Sequence, residues 1–354
     1  MNRREALKTM LWAIVPARTF AAPGVKTIIG NGLPGYSDTR VNNPYGVLVG
    51  RDGALYFCDL DNQRIRRLDL KTHRTIDIAG NGERGYAGDG GRATAGSLNM
   101  PHEIAFDSRG HLYIAERDNH VVRKVDGATG VMSTLAGTGA AGFSGDGGPA
   151  SKAQLRQPHS IALDRDGRLL ICDVGNHRIR AVNLWSATIE TIGGTGERLA
   201  TPDGAPLKGA ALNGPRTMVV DRDGSIYLAL GEGNAIYRIA PETRTLHHLA
   251  GTGEQGYSGD GGPARLARLA GPKGLALSGR RLYLADTENH AIRRIDLDRG
   301  TIFTVLGTGA RGDGPEPDPL QCRLSRPHGL YADTSGTLYV TDSEAHRIRV
   351  LAAG

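Results

Sequence analysis

Six prolines divide most of the chain into near-equal parts: Pro44, Pro101, Pro158, Pro215, Pro272 and Pro327, spaced 57, 57, 57, 57 and 55 residues apart. A period of this length marks a repeat architecture, in which each unit buries its faces only against its neighbours. After each proline comes a short apolar run (GVLV, EIAF, SIAL, TMVV, GLAL, GLYA), in most repeats an Asp- and Gly-containing turn, and a second run (ALYFCD, HLYIAE, RLLICD, SIYLAL, RLYLAD, TLYVTD). A third run is seen in DNQRIRRLD and DNHVVRKVD, and a fourth in TIDIAGNG and MSTLAGTG. Runs rich in β-branched and aromatic residues around such turns read as antiparallel strands. Four strands per unit, six times over and with almost no helical periodicity, predict an all-β, six-bladed β-propeller.

The glycine pattern GxGxxG occurs at Gly30, Gly80, Gly137, Gly251 and Gly307, with an incomplete copy at Gly194. Nucleotide binding through this pattern needs a strand before it and a helix opening on it within a βαβ unit, and no copy has that setting. The glycines instead read as the exit of the fourth strand. The last repeat supplies only three strands before the chain ends, and VKTIIGNG (25–32) supplies a fourth without a repeat of its own. That N-terminal strand is expected to complete the sixth blade and close the ring, removing an exposed sheet edge.

The chain divides into a leader at 1–21 and a propeller at 22–354. Asn2-Arg3-Arg4-Glu5-Ala6-Leu7-Lys8 resembles a twin-arginine export signal, followed by a modest apolar run at 9–17 and small residues near Ala21. The run is too short to span a bilayer, so the expected location is periplasmic or secreted. Of the formal charge of +6, removing Arg3, Arg4, Lys8, Arg18 and Glu5 leaves about +3. No nucleic-acid partner is expected from so small a surplus. The three cysteines are too few for a disulfide framework. Cys58 and Cys172 fall where other repeats place Ala115, Ala229, Ala285 and Thr341, as small buried fillers. The Asp-Gly-Gly segments at Asp89, Asp146 and Asp260 carry one acid each, where calcium takes six to eight oxygens. They read as turns leading to short helical pieces anchored by Leu98, Leu155, Leu212, Leu269 and Leu324.

The triplet positions Asn119-His120, Asn176-His177 and Asn289-His290 resemble those of the NHL family, over about residues 25–354. The resemblance implies the propeller fold. It leaves function open, since such propellers include protein and RNA binders, sensor domains and a zinc lyase. Acids that end strand two (Asp59, Asp173, Asp286, Asp342) and arginines in strand three (Arg66, Arg123, Arg180, Arg293, Arg349) recur, and are expected to pair inside the blades.

The position after each proline varies instead: Tyr45, His102, His159, Arg216, Lys273, His328. In a four-strand meander this position and the turn between strands two and three share one face, so the channel mouth is the expected ligand site. The leading expectation is a binding or recognition module for a small or peptide-like ligand, using Tyr45, Glu103, Arg216 and Lys273. Arg117, Arg216 and Lys273 suggest an anionic one. Three imidazoles converging on one channel could also hold Zn²⁺ with an open position. The Pro-His steps at His102, His159 and His328 are similar to the zinc ligands of the peptide-amidating lyase of this fold. That resemblance implies a metal role for these histidines and a catalytic role for Arg117, in a metal-dependent lyase or hydrolase. The lyase's catalytic tyrosine has no counterpart here, the matching positions being Asp61, Asp118, Gly175, Glu232, Glu288 and Glu344. A calcium lactonase-like enzyme, resting on acids such as Glu103, is a third expectation.

Overall fold

A computed structural model of the chain describes residues 24–353. The leader at 1–21 lies outside the described residues. Six four-stranded antiparallel sheets follow one another around a ring. Blade two is typical, with strands Pro101–Phe106, Leu112–Glu116, Val121–Val125 and Met132–Ala136. The sixth blade takes Pro327–Ala332, Leu338–Asp342 and Arg347–Leu351 from the C-terminal end, and Val25–Ile29 from the N-terminal end. Val25 stands opposite Leu351 and Thr27 opposite Arg349 in an antiparallel register, so the ring closes as the repeat count requires. Among the described residues no helix is long and apolar enough to cross a membrane.

Each of six apolar clusters straddles two adjacent blades rather than filling one. Cys58 and Ile65 of the first blade pack with Ile104 and Ile114 of the second. Leu55 and Phe57 pack with Tyr339 and Ile348 of the sixth, across the closing seam. Fully burying one such side chain stabilises by about 1.5–3 kcal/mol, and here that gain exists only once the neighbour is in place. Cys58, Cys172 and Cys322 are buried and free.

The recurrent glycines serve the backbone. Gly137 has φ +94°, and a Cβ there would stand 2.4 Å from the carbonyl oxygen of His120. Only glycine fits that turn. The Asp-Gly-Gly segments lead into single 3₁₀ turns such as Ala93–Ala95 and Ala150–Lys152, with Leu98 and Leu155 fully buried behind them.

The acid–arginine pairs form as expected, and their surroundings explain why they tolerate burial. The Arg180 guanidinium lies 3.5 Å from Asp173 and 2.8 Å from Asp146, and donates to the Ser144 carbonyl at 3.0 Å. Asp89 and Asp260 meet Arg123 and Arg293 in the same way. The Asp-Gly-Gly acids are therefore second counter-ions for buried arginines, in addition to the turn-forming role expected from the sequence. Blade four has neither member of the pair: Leu230 and Tyr237 occupy the two places, and the Tyr237 hydroxyl donates to the Thr201 carbonyl at 2.6 Å.

Candidate functional site

In all six blades the register between the first and second strands shifts immediately after the proline. A bulge of this kind releases a residue from the ladder and re-aims its side chain. It turns the post-proline residues inward, so Tyr45, His102, His159, Arg216, Lys273 and His328 line one cavity at the channel mouth, with Glu103 and Ser160. The cavity holds about 20 Å³, room for roughly one water. A ligand can place a single small group there while its remainder stays on the rim.

The histidines have fixed tautomers. His102 Nδ1 lies 3.1 Å from the Met100 carbonyl and His159 Nδ1 3.0 Å from that of Gln157. A carbonyl only accepts, so Nδ1 carries the proton in both rings. His328 Nδ1 lies 3.0 Å from the Ser343 hydroxyl, whose own proton goes to the Pro44 carbonyl at 2.6 Å. That leaves the hydroxyl to accept from His328. All three Nε2 atoms thus keep a lone pair, and those of His102 and His328 are buried with no hydrogen-bond partner among the described residues. Burial, with the Arg216 charge adding to it at His102 and His159, drives the imidazoles to the neutral form.

The rings are not equivalent. Tyr45 stacks on His328 at 4.0 Å between centroids and also tilts against His102 at 4.7 Å, so its ring lies between them. His102 meets His159 edge-on at 4.6 Å. Two cations complete the circle. Arg216 makes no hydrogen bond or ion pair among the described residues, and burial brings its pKa down to about 10. Lys273 donates to Glu288 at 2.7 Å, and burial followed by the Arg216 charge lowers it to about 8. For Glu288, burial works upward, but hydrogen bonds from Arg326 and Lys273 hold it down at about 2. Arg326 also reaches Glu344, at 2.7 Å. Sequence reading missed Arg326, although it is the one arginine that directly precedes a repeat proline.

Two expected residues sit differently from the ring. Arg117 is on the rim, where its guanidinium grips Asp118 in a two-pronged pair at 2.6 and 3.0 Å. Glu103 is one residue deeper, where the other blades have Gly46, Ser160, Thr217, Gly274 and Gly329. Its one hydrogen bond is from the Ile104 amide, at 3.3 Å, and burial raises it to about 8.

The family model described as NHL repeat matches residues 98–125, 155–181 and 324–351. The chain is a β-propeller that carries NHL repeats. It is similar to Protein SUPPRESSOR OF QUENCHING 1, chloroplastic, of Arabidopsis thaliana, 29% identical over 303 residues, covering 82% of this chain and 28% of that protein. NHL repeat-containing protein 2 of Bos taurus is 26% identical over 328 residues, covering 82% and 45%. The chain thus spans less than half the length of these curated relatives. In fold, the NHL ring is similar to an auxiliary nutrient binding protein from Bacteroides ovatus, with a TM-score of 0.67, 15% identity, and coverage of 94% of this chain and 76% of that one.

Proposed function

We propose that this propeller is a binding module whose channel mouth takes the anionic end group of a small or peptide-like ligand. One observation carries the reading: Arg216 is a recessed guanidinium with no protein counter-ion among the described residues, on a wall whose imidazole and phenol rings are neutral and whose other cation, Lys273, is paired with Glu288. Desolvating such a cation without a partner is costly, and a ligand carboxylate beside Arg216 and Lys273 would offset that cost. The Nε2 lone pairs of His102 and His328 would accept from N–H or O–H groups next to that carboxylate, as in a peptide end. Tyr45 would supply an apolar wall. An exported location is part of this proposal and rests on residues 1–21 alone.

A thermal-shift titration with a tripeptide bearing a free C-terminal carboxylate, and with its C-terminal amide, tests this. The acid should raise the melting temperature and the amide should not, and Arg216→Met should remove the difference. Equal responses to both peptides would sink the reading.

The metal-dependent lyase or hydrolase reading keeps one supporting observation. An Nδ1–H bonded to a carbonyl with a free Nε2 is how metal-bound histidines are usually oriented. The arrangement here does not fit a shared ion, because Tyr45 lies between His102 and His328, and Arg216 and Lys273 stand in the same ring. Among the described residues no group of three or more His, Cys, Asp or Glu side chains is placed to hold a metal. Metal analysis of purified protein, with His159→Ala as the control, decides between the readings: stoichiometric zinc lost in the variant would favour the enzyme.

A further inference from the structure

A second cavity, of about 440 Å³, lies between blades two and three at the end of the ring opposite the channel mouth. Its edge is the turn joining the third and fourth strands of blade three. There Asn183 Oδ1 accepts the backbone N–H groups of Trp185 and Ser186 at 2.9 and 3.1 Å, which fixes the loop. Trp185 stands on that loop 89% exposed. The same place in other blades holds Lys71, Ala128, Glu242 and Asp298, so the fold itself has no need of an indole. A lone exposed apolar residue is ordinary, but this one borders a concave site with a definite polar lining.

The lining is mixed in charge. Asp107 accepts from the Arg109 and His111 amides and the Tyr113 hydroxyl. Asp164 accepts from the Asp166 and Arg168 amides and the Arg168 side chain. Both acids are therefore fixed in place. Arg109 and Lys124 have no side-chain partner among the described residues, and Arg165 donates only to the Asp223 carbonyl, at 3.1 Å. Fixed carboxylates beside unspent cations suit a hydroxyl-rich ligand, because each hydroxyl both donates and accepts. A chain of acidic residues or phosphates would answer the cations but offer both aspartates few donors, whereas sugar hydroxyls donate to them. The exposed indole face offers a flat apolar platform with a polar edge, a match for the flat C–H face of a pyranose. Three cations against two acids favour a sugar that itself carries carboxylates.

We propose that this cavity is a saccharide-binding site, with Trp185 as stacking platform, that takes a short chain of uronate-bearing pyranoses. Calorimetric titration of the full chain with trigalacturonate, maltotriose and tetraglutamate tests it. Trigalacturonate should bind best. Trp185→Ala should weaken it at least tenfold with no change in melting temperature, since the side chain packs against little, while Trp185→Phe should retain most of the affinity. Lys124→Met should lower trigalacturonate affinity several-fold and leave maltotriose unchanged, and Arg216→Met in the channel mouth should change neither. The proposal is overturned if no saccharide binds at millimolar concentration, if Trp185→Ala binds like the parent, or if tetraglutamate binds the Arg216→Met variant, whose channel mouth is disabled, as tightly as trigalacturonate does.

Discussion

His346 Nδ1 accepts the backbone N–H of Asn43 at 3.1 Å, joining the last blade to the first. The same bond recurs at every seam: Gln63 to Met100, His120 to Gln157, His177 to Gly214, Asn234 to Gly271 and His290 to Arg326. All six acceptors have φ between 46° and 55°, a left-handed conformation in which His and Asn are enriched. The second letter of the NHL triplet is therefore a latch. It pins the residue before each proline, and with it the bulge that aims the channel-mouth side chain.

The latch needs an acceptor rather than an imidazole. His120→Gln, which copies Gln63, should melt close to the parent. His120→Leu removes the acceptor of the Gln157 amide and, because this bond is exposed, should cost about 0.5–1.5 kcal/mol. Thermal melts of the two variants, with equal losses in both, would refute the role.

Ring closure gives a second expectation. Deleting residues 24–32 removes the strand Val25–Ile29 and exposes the edge of Arg347–Leu351. It also opens the seam where Val25 packs against Leu324 and Leu330. A loss of several kcal/mol is expected against a typical stability of about 5–15. A truncated protein that melts like the parent would refute it.

The period and the missing fourth strand made blade count and closure legible in the sequence, because both follow from repetition. The convergence of Tyr45, His102, His159, Arg216, Lys273 and His328 was legible for the same reason. Their relations were not. Whether Tyr45 separates His328 from His102 depends on rotamers and on side chains 283 and 57 residues away in the chain, and whether Arg117 is held by the adjacent Asp118 depends on a rotamer alone. The roles of Asp89, Asp146 and Asp260 were hidden because one acid in a glycine-rich loop looks like a turn former until the buried arginine beneath it is seen.

Blade four supplies a natural control for the buried pairs. Asp173→Leu alone would leave Arg180 buried with a single partly exposed counter-ion, and should cost about 3–5 kcal/mol. Combining it with Arg180→Tyr copies Leu230 and Tyr237 and should recover part of that loss. Recovery will be incomplete, because the Arg156 amide and Asn176 also bond Asp173, at 2.7 and 2.8 Å. A double-mutant cycle measures the coupling, and a coupling near zero would show that the pair is not what holds these groups in place.

The last expectation concerns pH. Burial and the Arg216 charge lower Lys273 to about 8, against Glu288, which binds it. If its ammonium helps to hold a ligand carboxylate, affinity should be full below about pH 8 and fall as pH rises through it. The loss should reach up to about tenfold between pH 7 and 9, where most of the charge is removed. Arg216, at about 10, stays charged across that window, and the neighbouring His328 is already neutral. Glu103, raised to about 8 in the same cavity, gains a negative charge there and adds to the loss. Stability should move the other way. The unfolded chain binds more protons than the folded one between about 8 and the ordinary lysine value of about 10.4, so Lys273 adds stability as pH rises there. Opposite trends in ligand affinity and melting temperature would separate a binding effect from general unfolding. Lys273→Met should remove the Lys273 share of both trends, and adding Glu103→Gln should flatten what remains. If the affinity of the carboxylate peptide stays constant from pH 7 to 9 in the parent, Lys273 takes no part in holding the anion.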